Sequence, residues 1–195
     1  MIIDDIAFAK EFARRAHARQ LYGDGPYMYH LEQVAQLVAP LYRSSTAAYG
    51  DIAETSKKRE QLMVIAFLHD VIEDTVVTYD TLAVMFDRRV ANAVQLISDP
   101  KAHNRKERKR LLYIQLSDAE HQQSVWLEAV TVKVADRLAN VVNSARSAQP
   151  GADWRLRMYQ KEHAEFRRQL HRDGMCDGLW ESLDGWIESG EGKER

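Results

Sequence analysis

The sequence predicts an all-α fold, a single-domain helical bundle. Three observations predict it. Only nine glycines and four prolines interrupt 195 residues, and most of them cluster at a few breaks. Between the breaks, apolar residues recur three and four positions apart, the period of a helix buried on one face. No stretch sustains the alternation of a strand; Val76-Val77-Thr78 is β-prone but too short to count.

The elements follow in order. Ile6, Ala9, Ala13 and Ala16, with Phe8 and Phe12 beside them, mark an opening helix, which Gly23, Gly25 and Pro26 separate from the next. Val34, Leu37, Val38 and Leu41 fit a second helix, stopped near Arg43-Ser44-Ser45. Leu62 to Ile72 is apolar nearly all round and reads as a central, buried helix. Leu82, Met85 and Phe86 mark a short helix; Val90, Ala93, Val94 and Ile97 mark another, ending before Pro100. Leu127 to Val142 is a long apolar helix interrupted by Lys133, Asp136, Arg137 and Asn140. Past Pro150-Gly151, Leu156, Tyr159, His163 and Phe166 fit a later helix. Beyond Gly174 and Gly178, Leu179, Leu183, Trp186 and Ile187 fit the last. One domain is expected over residues 1–188, followed by a disordered tail over 189–195.

Composition excludes several classes. Lys and Arg total 27 against 29 Asp and Glu, a net charge of −2, so overall charge argues neither for nor against nucleic acid. The longest apolar run, Leu62 to Leu68, is far short of the roughly 20 residues a membrane helix needs. Asp4 and Asp5 stand where a secretory signal would carry a basic start and an apolar stretch. The single cysteine, Cys176, rules out an intrachain disulfide and a cysteine-rich zinc site. The expectation is a soluble, cytoplasmic protein with no membrane partner. Whether it self-associates is left open.

Polar residues inside the most apolar helices carry the functional signal. His69 and Asp70 directly follow Met63-Val64-Ile65-Ala66-Phe67-Leu68, where a carboxylate without a partner is costly to bury. If the helix continues, Glu73 and Asp74 lie one turn further on, about 5.4 Å along the axis. Ligands first, then groups that handle the proton of a water, is the order such a site needs. Lys133, Asp136 and Asn140 share one face of the long helix; by itself that stripe reads more simply as an ion pair with an amide cap. His30 follows the Gly23–Pro26 break as a third candidate ligand. Imidazoles with carboxylates suit Mn, Fe, Co or Zn better than Mg or Ca, and such a metal acidifies water. His17 reads as a structural histidine bracing the site.

His30, His69-Asp70 and Asp136 together resemble the H…HD…D signature of HD-domain metal-dependent phosphohydrolases. The longer segment His69-Asp70-Val71-Ile72-Glu73-Asp74-Thr75 resembles the HDVIEDT motif of the hydrolase domain in Rel/Spo-type alarmone enzymes and their single-domain relatives. Ala16-His17-Ala18-Arg19-Gln20 is similar to the family's AHxGQ, Pro26-Tyr27-Met28-Tyr29-His30 to its PYxxH, and Val132 to Asn140 to its VKLADRLxN. The resemblance implies that His30, His69, Asp70 and Asp136 hold one divalent metal, typically Mn²⁺. It implies that Glu73 and Asp74 orient and deprotonate the attacking water, that Asn140 meets the ribose or phosphate, and that Tyr159 lines the nucleotide pocket. Lys133 would help hold the site's charges and Arg137 would be a structural partner. The implied reaction of the stringent response is attack of metal-activated hydroxide that removes the 3′-pyrophosphate of guanosine 3′,5′-bis(pyrophosphate), ppGpp. One stretch departs from the pattern: where the family places an Arg-Lys pair, this chain has Leu21-Tyr22-Gly23. That departure keeps open a phosphohydrolase of another nucleotide (a nucleoside monophosphate or a phosphorylated dinucleotide); a non-catalytic nucleotide-binding module is a further alternative, against which the Glu73-Asp74 pair argues.

Lys101 to Arg110 holds six cations against Glu107. It reads equally as a phosphate-holding cluster, with Asn104, Arg105 and Lys106 nearest the loop, or as a solvated helix face. Nucleic acid is disfavoured, since no aromatic residue interleaves before Tyr113.

Overall fold

The computed structural model describes residues 5–41, 52–120, 125–149 and 151–189. The expected helix stop at Arg43-Ser44-Ser45, the residue Pro150 and residues 190–195 of the expected tail lie outside the described residues, while Ser189, placed at the start of that tail, ends the last helix. The described chain is helical apart from one minimal hairpin, as its apolar period predicts.

Residues 1–132 and 133–195 form two compact units, and the division falls inside an unbroken helix, α8 (Trp126–Arg146). In the first unit, α1 (Asp5–Ala16) buries Ala9 and Ala13, small residues that let it lie close against α3 (Ile52–Leu68). β1 (Leu21–Tyr22) and β2 (Gly25–Pro26) pair antiparallel, with Tyr22 opposite Gly25. Gly23, at φ +62°, takes the left-handed conformation that the tight loop needs. Gly25 lies under the Tyr29 ring, which would have to move to admit a Cβ, since that atom would fall 2.5 Å from it. Two-residue strands are too short for alternation to announce them; the Tyr-Gly-Asp-Gly turn is their only trace in the sequence.

α2 (Met28–Val38) buries His30, Leu31, Val34, Ala35 and Val38 on one face, against α3. α3 carries the densest part of the core, Leu62 and Val64 to Leu68, and α1, α2 and α6 all pack on it. It does not run on to Ile72 as the apolar pattern predicts. It ends at Leu68, the chain turns at His69-Asp70, and a separate short α4 (Val71–Asp74) follows. The reason is that His69 turns its side chain back onto the end of α3, where its Nδ1 meets the Ala66 carbonyl at 2.8 Å, and Tyr27 draws Asp70 away with a 2.6 Å hydrogen bond. One local and one tertiary side-chain bond override an apolar period that continues through Val71 and Ile72.

α5 (Tyr79–Met85), α6 (Arg88–Ile97) and α7 (Arg105–Ala119) each begin on a side-chain cap. Thr78, Asp87 and Asn104 accept from the backbone N–H of Thr81, Val90 and Glu107, each cap contributing about 1 kcal/mol. α7 buries Leu112, Tyr113, Leu116 and Ala119 against α6, a helical spacing that directly follows the run of charges. In the second unit, α9 (Ala152–Leu170) packs on α10 (Asp177–Ser189). Phe166 meets Trp180 at 5.6 Å, and Asp184 accepts from Arg167 at 2.8 Å and lies 2.8 Å from His163 Nε2. No described helix is long and apolar enough to cross a membrane.

Candidate active site

The α3–α4 corner and the start of α2 bring the first predicted residues together. His30 and His69 are each 1% exposed. Asp70 Oδ2 lies 2.9 Å from His69 Nε2 and 3.6 Å from His30 Nε2. A carbonyl only accepts, so His69 Nδ1 donates to Ala66 and, in the neutral ring, Nε2 holds the lone pair. Two imidazole nitrogens and a carboxylate oxygen that converge in this way need a proton or a metal cation among them. Burial works against ionising Asp70, but the facing imidazoles of His69 and His30 outweigh it and hold the carboxyl well below the usual carboxylate range.

Aromatic rings hold these ligand-type side chains in place. Tyr22, on the hairpin, stacks on His30 with centroids 4.7 Å apart. His17 stacks on Tyr27 at 4.6 Å, and Tyr27 stands edge-on to His30 at 5.6 Å. The Tyr27 hydroxyl donates to Asp70 Oδ2. His17 is therefore the brace that the sequence suggested, and Tyr27 and Tyr22 are members of the site that residue spacing did not single out.

Glu73 and Asp74 are exposed at the end of α4. They are held from two different directions. Glu73 Oε2 accepts the backbone N–H of Asp99 at 3.0 Å, and Asp74 Oδ2 accepts the side-chain amide of Gln20 at 2.8 Å. Asp99 is in turn gripped by Lys109, whose Nζ lies 2.9 and 2.8 Å from its two carboxylate oxygens, with both side chains largely buried. Neither Gln20 nor Asp99 was among the candidates read from the sequence. Gln20 stands in the AHxGQ-like segment, whereas Asp99 carries no local signal.

On α8, Asn140 donates through Nδ2 to Asp136 Oδ1, and Lys133 Nζ lies 3.9 Å from Asp136 Oδ2. The ion pair with an amide cap, read from that stripe alone, is what forms. His30 and His69 each offer a ligand nitrogen, and Asp136, on α8, offers a carboxylate oxygen. Two buried imidazoles with carboxylates make a donor set that fits a divalent first-row metal. Arg137 has the structural place expected of it: it pairs with Glu162 at 3.3 Å and lies over the rings of Tyr159 and Phe166.

The residues of the segment from Asn104 to Arg110 take different places. Asn104 spends its side chain on the N-cap of α7, Lys109 holds Asp99, and Arg110 pairs with Glu107 one turn away. Arg105 is half-buried and Lys106 exposed on the first turn.

The HD domain family matches residues 27–141 of the chain. Among curated proteins, the chain is similar to the guanosine-3′,5′-bis(diphosphate) 3′-pyrophosphohydrolases MESH1. It is 32% identical to that of Homo sapiens over 146 residues, 73% of this chain and 71% of the relative. It is 30% identical to that of Mus musculus over 184 residues, 92% of this chain and 91% of the relative. A solved structure described as a metazoan ortholog of SpoT shares the fold, with a TM-score of 0.68, 24% identity and 92% coverage of both chains. The helical fold and the converging imidazoles and carboxylates therefore agree with these likenesses, and the chain belongs to the HD domain family of hydrolases.

Proposed function

We propose that the chain is a cytoplasmic, metal-dependent pyrophosphohydrolase that removes the 3′-pyrophosphate of ppGpp. The convergence of His30, His69 and Asp70, with Glu73 and Asp74 anchored one short helix further on, carries this reading. The likeness to enzymes named for that reaction supports it. His30, His69, Asp70 and Asp136 would hold the cation, which we take to be Mn²⁺. When bound, it supplies Lewis acidity and lowers the pKa of water beside it. Glu73 and Asp74 orient the attacking water and take its proton. The water oxygen bonds to the phosphorus attached at the 3′ position, the bond from that phosphorus to the 3′-oxygen breaks, and the 3′-oxygen receives a proton. Pyrophosphate and a guanosine 5′-diphosphate leave. Lys133, Asn140 and Tyr159, with Arg105 and Lys106 of α7, are proposed to contact the substrate; Lys133 and Asn140 also hold Asp136.

One observation favours a second reading, in which another phosphorylated nucleotide is the substrate. The edge from Leu21 to Pro26 carries no cation and instead lays Tyr22 against His30. Pyrophosphate release from ppGpp by Mn²⁺-loaded protein separates the two, with His69→Ala/Asp70→Ala protein as the control. Metal-dependent release that is lost in the control supports ppGpp. No release, beside turnover of a nucleoside monophosphate or a phosphorylated dinucleotide, supports the second reading.

A further inference from the structure

We propose that Gln20 is a positioning residue for Asp74 and that His17 in turn positions Gln20. The inference rests on the reading that Asp74 handles the proton of the attacking water.

Asp74 ends a four-residue helix and is exposed. A carboxylate so placed is free to visit several staggered rotamers unless something ties it. Gln20 ties it from 54 positions away in the chain, Nε2 to Oδ2 at 2.8 Å. Gln20 is itself pinned. Its backbone N–H donates to the His17 carbonyl at 2.9 Å, and its carbonyl accepts from Tyr27 N–H at 3.2 Å. Its side-chain Oε1 lies 2.7 Å from His17 Nδ1.

The hydrogens can be arranged in one way. An ionised carboxylate only accepts, so the amide NH₂ must face Asp74. Oε1 then faces His17, and because it too only accepts, His17 Nδ1 must carry a proton. His17 is 3% exposed, and its ring is clamped flat on Tyr27. A rigid imidazole thus selects the amide orientation, and the amide selects the carboxylate rotamer. This gives the Ala16–Gln20 segment a task in the reaction, although neither His17 nor Gln20 would touch substrate or metal.

The test is a set of variants read by kcat, KM and the side-chain amide resonances of ¹⁵N-glutamine-labelled protein, with unfolding midpoints recorded to establish folding. Asp74→Asn is the reference and is expected to lose about 100-fold or more in kcat. Gln20→Leu should lower kcat about 10-fold with KM within about 2-fold, and should cost nothing further in an Asp74→Asn background, because residues acting as one unit are not additive. His17→Asn keeps a donor near the Nδ1 position and should stay within about 3-fold of the wild type, whereas His17→Leu should fall to the level of Gln20→Leu. The Gln20 NH₂ resonances should shift in Asp74→Asn and His17→Leu and hold in His17→Asn.

Full activity of Gln20→Leu beside an inactive Asp74→Asn overturns the inference and leaves the role of Asp74 standing. A fully active Asp74→Asn overturns both. If ppGpp is not turned over at all, the resonances decide: Gln20 signals that ignore both Asp74→Asn and His17→Leu overturn the tether.

Discussion

The α3–α4 corner and the first half of α7 are both rich in ionisable residues, but they hold their charges in opposite ways. At the corner the partners come from far along the chain: Tyr27 reaches Asp70 across 43 positions, Gln20 reaches Asp74 across 54, and the Asp99 N–H reaches Glu73 across 26. On α7, Arg110 pairs with Glu107 three residues back, in the open. An exposed local pair of that kind contributes about 0.2–1 kcal/mol and mostly decorates a solvated face. Of these corner contacts only Tyr27–Asp70 is buried, and a buried polar group costs far more to leave without its partner than an exposed one. Lys109 is the exception that joins the two regions. It sits in the basic run but spends its charge on buried Asp99, and through Asp99 it supports Glu73.

The largest effect should come from the corner itself. Asp70→Ala removes the oxygen on which both imidazoles converge. Turnover should drop to background, a loss of about 10⁴-fold or more, with bound metal lost when the protein is dialysed and its metal content measured. A variant that kept stoichiometric metal and turnover would remove the corner from the site. Next in size is Tyr27→Phe, which deletes one hydroxyl and leaves the stacked ring. Partners of this type tune a metal ligand by about 10- to 100-fold in affinity or activity, and titration of the apoprotein with Mn²⁺ would show it. An unchanged affinity would mean that Asp70 is oriented by the imidazoles alone.

The chemistry of the corner was legible from residue types because buried His and Asp in an apolar run are costly and so informative. Its backbone was not. Leu62 to Ile72 has one unbroken apolar character, and the turn at His69-Asp70 comes from a side-chain bond to Ala66, three residues back, and from the distant Tyr27, neither of which an apolar period reports. Glu73 was legible as a candidate, but the loop that holds it was not, since Asp99 lies beside Pro100 in a segment with no period. Asn140 is the opposite case: its amide meets Asp136 one turn back, the amide cap that the shared helix face predicts. Local pattern shows which residues are expensive; only the tertiary fold shows who offsets the expense.

Lys109 and Arg110 sharpen the comparison within a single turn of α7. Lys109→Met leaves Asp99 buried without its cation. The side chain of Lys109 is 13% exposed and that of Asp99 4%, so the loss should approach the lower end of what a broken buried pair costs, about 2–3 kcal/mol. In thermal unfolding that corresponds to a drop of roughly 5–10 °C for a domain of this size. Arg110→Met should move the midpoint by about 1–2 °C at most. Lys109→Met should also lower kcat by loosening the N–H that Glu73 accepts, and Arg110→Met should not. Equal midpoints for the two variants would show that burial does not separate the regions.

The smallest expected effect concerns pH and the neutral state of His17. Burial holds its pKa below the ordinary histidine value, more strongly than the Gln20 contact and the nearby carboxylates raise it. In the unfolded chain the ring titrates near about 6.5. Below that pH the unfolded state takes up a proton that the folded state refuses, so stability is fully present above about pH 6.5 and is lost as the pH falls toward the folded pKa. The loss does not come from the tether to Gln20, because Nδ1 carries its proton in both charge states. It comes from placing a charged imidazole in a dry position. His17→Asn keeps a donor and cannot titrate, so the comparison reads the contribution of the His17 ring. The metal-free wild type should lose midpoint faster than His17→Asn between pH 7 and pH 5.5, and the two curves should run parallel above about pH 7. Parallel curves throughout would mean that the ring is solvated enough to charge in place, and the rigid support for Gln20 would then have to come from the Tyr27 stack alone.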